Sequence, residues 1–299
     1  MVTVSTSAFY GRSNQQLASL RTRAEAMQTQ IGTEQRLTRS SDDPAAAARL
    51  RTLDRRERLS AVDKGNSGRA ATDLKLADHA VSSMADIVIR AKELALQARS
   101  STLSDAGHKV IATEITNLRA SMLSLANARD AAGHALFGGE AAGDPYSETA
   151  GVIAYQGVGT APPTDLGDGQ TVQRSMTGPD ILNFGGTDLF AVLGNLAAGL
   201  NTGGAAAIGA AGDAIGLLDT GLEQVTTAQT VIGTRQAWVE TVDDRRSNTT
   251  ELVSEERTAI GGTDLAGTIT RLKELMTVLE ASQASFVKLS SLTLFNQLN

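Results

Sequence analysis

Cysteine is absent from the 299 residues of this chain, which excludes disulfides, zinc–thiolate sites and thiol catalysis and leaves the redox compartment open. Aromatic residues amount to only 3%, with Trp238 the single tryptophan, so a wide aromatic-rich core is not expected. No run of about 18 apolar residues occurs, and nothing is expected to span a bilayer. Met1 to Leu20 supply neither the basic leader nor the apolar run of a cleaved signal peptide. The formal charge of −6 speaks against nucleic acid, which needs a clustered cationic face. One basic run exists, Arg49, Arg51, Arg55, Arg56 and Arg58, but Asp54 and Glu57 interrupt it, and it reads as a solvated or inter-subunit helix face.

Catalytic signatures are missing as well. His79, His108 and His134 share no metal-ligand spacing, and each is expected on a helix surface. Asp165-Leu166-Gly167-Asp168-Gly169 lacks the alternating ligands and closing glutamate of a calcium loop and reads as a turn. Gly138-Gly139 lacks the lysine and hydroxyl residue of a phosphate loop, and no nucleophile elbow occurs. No catalytic residue, cofactor or metal is therefore assigned, and the chain is not expected to be an enzyme.

What the chain does have is helix. Near its start Leu17, Leu20, Ala24, Met27 and Ile31 step by three and four; near its finish Ile269, Leu272, Met276, Leu279 and Phe286 follow the same stepping, with Gln283 as the polar interruption. Such heptads place an apolar seam along one side of a helix and require a partner helix. Each other, or the same helices of neighbouring molecules, are the candidates, so these ten residues are assigned as an assembly seam. The length allows two or three structural units at about 150 residues each.

The first seam is read from about Tyr10 to Leu37, followed by a polar joint. In it Asp42, Asp43 and Pro44 form a helix start, a carboxylate cap followed by proline at the first helical position. The helix so opened is expected to reach about Ala98, with its second half seamed by Ala70, Leu74, Ala77, Val81, Met84, Val88, Ala91, Ala95 and Ala98. Gly65 and Asn66 mark a local irregularity in that pattern. After a turn capped by Ser104, a second helix carries Ile111, Ile115, Leu118, Met122, Leu125, Ala132 and Leu136, and the short turn predicts an antiparallel return. Residues 137–186 hold four of the five prolines and eleven of the 29 glycines, with short β-type runs such as 152–155 and 171–174. Helical pattern then resumes through Ile208, Ala211, Ile215, Leu218, Leu222, Val225, Ile232 and Val239, stops at Gly261-Gly262, and restarts after a Thr263-Asp264 cap. The expected fold is mainly α: an elongated antiparallel helical bundle or coiled coil formed by both chain ends, with a small β-rich inserted domain. Its divisions are 1–43, 44–136, 137–186, 187–260 and 261–299.

Read together, the joints and ends resemble the flagellin superfamily. The N-terminal signature stands as Gln28-Thr29-Gln30 and Ser41-Asp42-Asp43-Pro44-Ala45-Ala46-Ala47-Ala48, and Arg90-Ala91-Lys92-Glu93-Leu94-Ala95-Leu96-Gln97-Ala98 is similar to its first core helix. The C-terminal signature stands as Leu279-Glu280-Ala281-Ser282 and Leu289-Ser290-Ser291-Leu292-Thr293-Leu294-Phe295-Asn296. In the middle, Ala126-Asn127, Leu136-Phe137-Gly138-Gly139, Pro145-Tyr146 and Tyr155-Gln156-Gly157 resemble the hook–filament junction family, the hook-associated proteins of type 3, rather than filament flagellins. Phe137, Gly138 and Gly139 are accordingly taken as the way into the insertion. Two features depart from the family: Gly32-Thr33-Glu34-Gln35-Arg36-Leu37 replaces its Ser-Ser-Gly-Lys bend, and the chain ends on Gln297-Leu298-Asn299 rather than an apolar residue.

The resemblance implies a structural adaptor that assembles in a ring between hook and filament, with a filament-forming flagellin as the alternative and an extracellular binding module on the same scaffold as a third reading. It implies an extracellular, flagellar location reached by type III export without a cleaved signal peptide. The implied partners are further copies of itself, another hook-associated protein on the hook side, a hook-associated protein or flagellin on the filament side, and an export chaperone. Nucleic acid and membrane insertion are not among them.

Overall fold

A computed structural model of the protein describes residues 3–160 and 162–295. Among these, α1 (Thr3–Thr33), α2 (Pro44–Ala98) and α3 (Asp105–Ala126) precede three hairpins; α5 (Leu189–Thr202), α6 (Gly204–Gly261) and α7 (Leu265–Phe295) follow. The hairpins are β1 (Tyr146–Thr149) with β2 (Val152–Tyr155), β3 (Thr164–Gly167) with β4 (Gln170–Val172), and β5 (Asn183–Phe184) with β6 (Thr187–Asp188), the short α4 (Gly178–Leu182) preceding the last. The fold is mainly α, 73% helix against 9% strand. Asn296 and the closing Gln297-Leu298-Asn299 lie outside the described residues.

The chain divides into two compact units, Met1–Arg58 with Thr249–Asn299, and Leu59–Asn248. In the second, α3 folds back along α2: the Arg90 guanidinium meets Glu114 at 2.8 Å, and near the turn the His108 ring lies 2.9 Å from the Ala98 carbonyl. The α6 helix runs antiparallel to α2 there, with Arg246 donating to Ser67 at 3.1 Å and Lys92 paired to Asp219. All nine seam residues of α2 from Ala70 to Ala98 are buried, against Ile111, Ile115 and Met122 of α3 and Leu189, Phe190, Leu193, Leu196 and Leu200 of α5.

Several expectations need correction. The α2 helix passes through Gly65 and Asn66 without a break, and the Arg69 guanidinium bonds Asn66 Oδ1 at 2.8 Å. The α3 helix stops at Ala126, ten positions before Leu136: Asn127 turns its amide onto the Tyr146 backbone, donating at 3.0 Å and accepting at 2.8 Å, and Asp130 then captures the Ala132 and His134 amides, both at 2.8 Å. These side chain-to-backbone bonds outcompete the helix ladder. Leu136 is still buried, from a loop, while Ala132 is exposed. His108 is buried rather than on the surface, at 1% exposure.

On α6 the buried apolar line in the second unit is Ala207, Ala211, Ala214, Leu218, Val225, Ala228, Ile232, Val239 and Val242, with Ile208, Ile215 and Leu222 rotated to its edge. The line mixes small and large residues, Ala207 and Ala211 being as fully buried as Leu218 and Val225. By length and composition alone α6 also contains one 18-residue window, of mean hydropathy 1.2, apolar enough to cross a membrane. Of that window 28% is buried.

A candidate assembly interface

In the first unit α1 and α7 run antiparallel. At one end Gln35 bridges Gly262; at the other the Tyr10 and Phe286 rings meet edge to face, 5.5 Å between centroids at 87°. Leu17, Leu20, Met27 and Ile31 are half-buried along α1, and Ala24 is buried at 8% exposure. Opposite them α7 turns inward Leu272, Leu275, Leu279, Ser282 and Phe286. Ile269 and Met276, two of the assigned seam residues, stay outside at 40% and 43% exposure. Leu275 takes the inner position, because three-and-four stepping over 31 residues contains two overlapping stripes and only one can face α1.

A pair of helices covers one line and leaves the rest wet. Phe9, Leu265, Val278, Val287 and Leu289 join Ile269 and Met276 among the exposed large apolar side chains. A groove of about 630 Å³ lies along the pair, lined by Phe9, Leu17, Leu20, Val278, Phe286 and Leu289 among others. Burying each such side chain is worth about 1.5–3 kcal/mol. Exposed apolar side chains on both flanks of a helix pair mark an interaction surface.

The joint is built from both linkers of this unit. Asp43 Oδ1 accepts the Ala46 amide at 3.0 Å, capping α2 at Pro44. That bond, with the Arg36 guanidinium 3.4 Å away, holds the Asp43 carboxyl below the usual carboxylate range. Asp42 is lowered in the same way by the Arg39 amide. Arg36 donates from its backbone to Gly261 O at 2.8 Å and from its guanidinium to Ile260 O at 3.0 and 3.2 Å, and Thr263 donates to Glu34 O at 3.0 Å. Gly261 and Gly262 fit because side chains there would press on Leu50 and on the Thr258 carbonyl. Asp264, not Thr263, caps α7, accepting the Gly267 amide at 3.1 Å. The linker after α1 turns at Glu34, in the left-handed region at φ 56°, while Gly32 stays helical. Arg36 had no role in the sequence reading; Glu34, Arg39, Asp42 and Asp43 stand around it, and nothing local singles it out.

In the second unit the residues leading into the insertion converge. Phe137 is buried, and its carbonyl accepts the Gly178 amide at 2.9 Å and the Tyr155 hydroxyl at 3.2 Å. Gly138 O accepts Val158 N at 3.2 Å, and Gly139, at φ 66°, sits so close to the Val158 and Gly159 carbonyls that no Cβ fits. Gly157 and Gly178 are packed likewise against the Tyr155 and Tyr146 rings. Tyr146 stacks within 5.2 Å of Tyr155 and 5.1 Å of Phe190, and burial pushes its phenol up beyond ordinary titration. The sequence reading missed the arginines that pin these hairpins. Arg119 donates to Glu148 and Gly151 O, both at 2.7 Å; Arg235 donates to Ser175 O at 2.8 Å; Arg246 donates to Leu166 O. Among the described residues no cluster of three or more His, Cys, Asp or Glu could hold a metal.

The family model of the bacterial flagellin N-terminal helical region matches residues 4–142, and that of the C-terminal helical region matches residues 215–298. The chain belongs to the flagellin superfamily. Flagellar hook-associated protein 3 of Escherichia coli is 26% identical over 285 residues, 89% of this chain and 90% of that protein. Among solved structures, a Vibrio parahaemolyticus protein ascribed to the flagellar hook-associated proteins is 23% identical with a TM-score of 0.70, covering 74% of this chain and 100% of that one. The flagellar junction protein FlgL of Legionella pneumophila is 15% identical with a TM-score of 0.60, covering 71% and 99%.

Proposed function

We propose that this protein is a structural adaptor of the bacterial flagellum that joins the hook to the filament and assembles through its terminal helices. One observation carries the reading: α1 and α7 pair along a single line and leave Ile269, Met276 and Val287 exposed, with Val278 exposed at a groove along the pair, a surface complete only when further helices cover it. The near full-length likeness to hook-associated protein 3 supports the junction in particular. In this reading 1–43 and 261–299 form the inner layer of a tube, 44–136 and 187–260 the layer around it, and 137–186 the outermost part. The Asp42-Asp43-Pro44 and Gly261-Gly262 joints set the angle at which the inner helices leave. Copies stand in a ring, with another hook-associated protein on the hook side and a hook-associated protein or flagellin on the filament side. A chaperone escorts the chain to type III export and so to its extracellular place. Its work is binding, not bond chemistry. A deletion strain should build hooks and shed unpolymerised flagellin, and the restored gene should return filaments. Fibres grown from the purified protein alone would instead identify a filament flagellin.

A further inference from the structure

The basic run on α2 has a use that the apolar seam does not supply. Two arginines of this region are matched within the chain: Arg49 to Glu256 at 2.6 Å, and Arg257 to Glu57 at 2.7 Å and Asp54 at 3.3 Å. These pairs occupy the carboxylates that border the line where α2 meets α6 in the first unit, a line closed by Leu53 and Val253 at 2% and 7% exposure. Arg51, Arg55 and Arg58 remain exposed, with no carboxylate at ion-pair distance among the described residues. Their spacing of four and three puts them on one flank of α2, over about 10 Å of helix, where three like charges repel. On α6, Glu251 and Glu255 repeat the situation with the opposite sign: four apart, exposed, and without a basic partner among the described residues.

We infer that the Arg51-Arg55-Arg58 flank of α2 docks on the Glu251-Glu255 face of α6 in a second copy of this chain. The two rows lie on different sides of their helices, each turned away from the α2–α6 line, so one copy cannot satisfy both. Every copy presents an unmatched positive row of about 10 Å and an unmatched negative row of about 6 Å. That is a heterologous, head-to-tail contact, which repeats from copy to copy and closes as a ring when the rotation allows. Charge complementarity of this kind sets register and association rate, and salt weakens it. The inference rests on the assembly reading and adds the lateral contact to it.

The absence of cysteine allows a clean test in the full-length chain. Arg55→Cys combined with Glu255→Cys is expressed in the deletion strain, and isolated flagella are treated with a short bis-maleimide linker. A ladder of dimers, trimers and higher multimers is expected, with no ladder from either single variant. Reversing Arg51, Arg55 and Arg58 to Glu should lower motility about tenfold, and adding Glu251→Arg with Glu255→Arg should restore it, which separates the contact from misfolding. Junctions that contain the double-cysteine chain but yield no ladder, linkage to a different protein only, or full motility of the charge-reversed chain would each overturn the contact while leaving the junction reading intact. Failure of the unmodified gene to restore filaments would strike the junction reading itself and remove the ground for the contact.

Discussion

The guanidinium of Arg36 rests on the carbonyl oxygen of Ile260, 224 positions further along the chain, at 3.0 Å from Nη2. With the Arg36 amide on Gly261 O, this ties the linker after α1 to the C-terminal end of α6. Arg36→Met keeps the apolar stem and removes the donors. At about half exposure the lost bonds are worth about 1 kcal/mol. Limited proteolysis between residues 34 and 43 and near 262 should accelerate while α2 and α3 stay resistant; an unchanged digestion pattern would contradict the assigned role.

Glu34 holds a left-handed backbone, φ 56°, that suits glycine. Strain at such a residue is about 1–2 kcal/mol, partly offset by the extra freedom glycine gives the unfolded chain. Glu34→Gly should therefore slow cleavage of the joint modestly, and Glu34→Val should speed it. Calorimetry and proteolysis on the three proteins check the order.

Gly139→Ala and Gly178→Ala should each destabilise by about 2 kcal/mol or more, since the added methyl meets carbonyl oxygens in one case and the Tyr146 ring in the other. Thermal unfolding should show a clear fall in Tm for both. Gly133→Ala serves as comparison, having a positive φ of 86° but open space around it, and should cost less.

Acid should loosen the joint. Asp43 is lowered from 3.8 by the Ala46 amide, and Glu256 from 4.5 by its hydrogen bond to Arg49. A carboxylate lowered in the folded state contributes stability above its unfolded value, and that contribution is lost as pH falls through the folded value. The difference in melting temperature between the protein and Asp43→Ala should thus be constant from pH 7 to pH 5 and shrink below about pH 4. A difference that persists into strong acid would mean that the carboxylate charge is irrelevant there.

Much of this was legible. The start of α2 at Pro44, the stop of α6 at Gly261 and the α2 seam follow from capping chemistry and period, both local properties. The end of α3 was not, because its determinant is a bond from Asn127 to Tyr146, 19 positions away. Leu275 displaced Met276 for a similar reason: two stripes of equal hydropathy exist, and only the partner helix selects one. The motif around Phe137, Gly139, Tyr155 and Gly157 was visible as letters, but its cause, backbone packed too closely for a Cβ, needed three dimensions.

The central claim is that the terminal helices place this chain at the boundary between hook and filament. The most direct measurement is gold labelling of the protein on flagella from the complemented deletion strain, alongside strains carrying Leu20→Asp or Leu279→Asp. An unpaired carboxylate in the α1–α7 line costs several kcal/mol to bury, so both variants should be exported and folded in their central helices yet absent from flagella. The account predicts one band of label at the end of the hook, lost in both variants. Label spread along the filament, or an undiminished band in either variant, would contradict it.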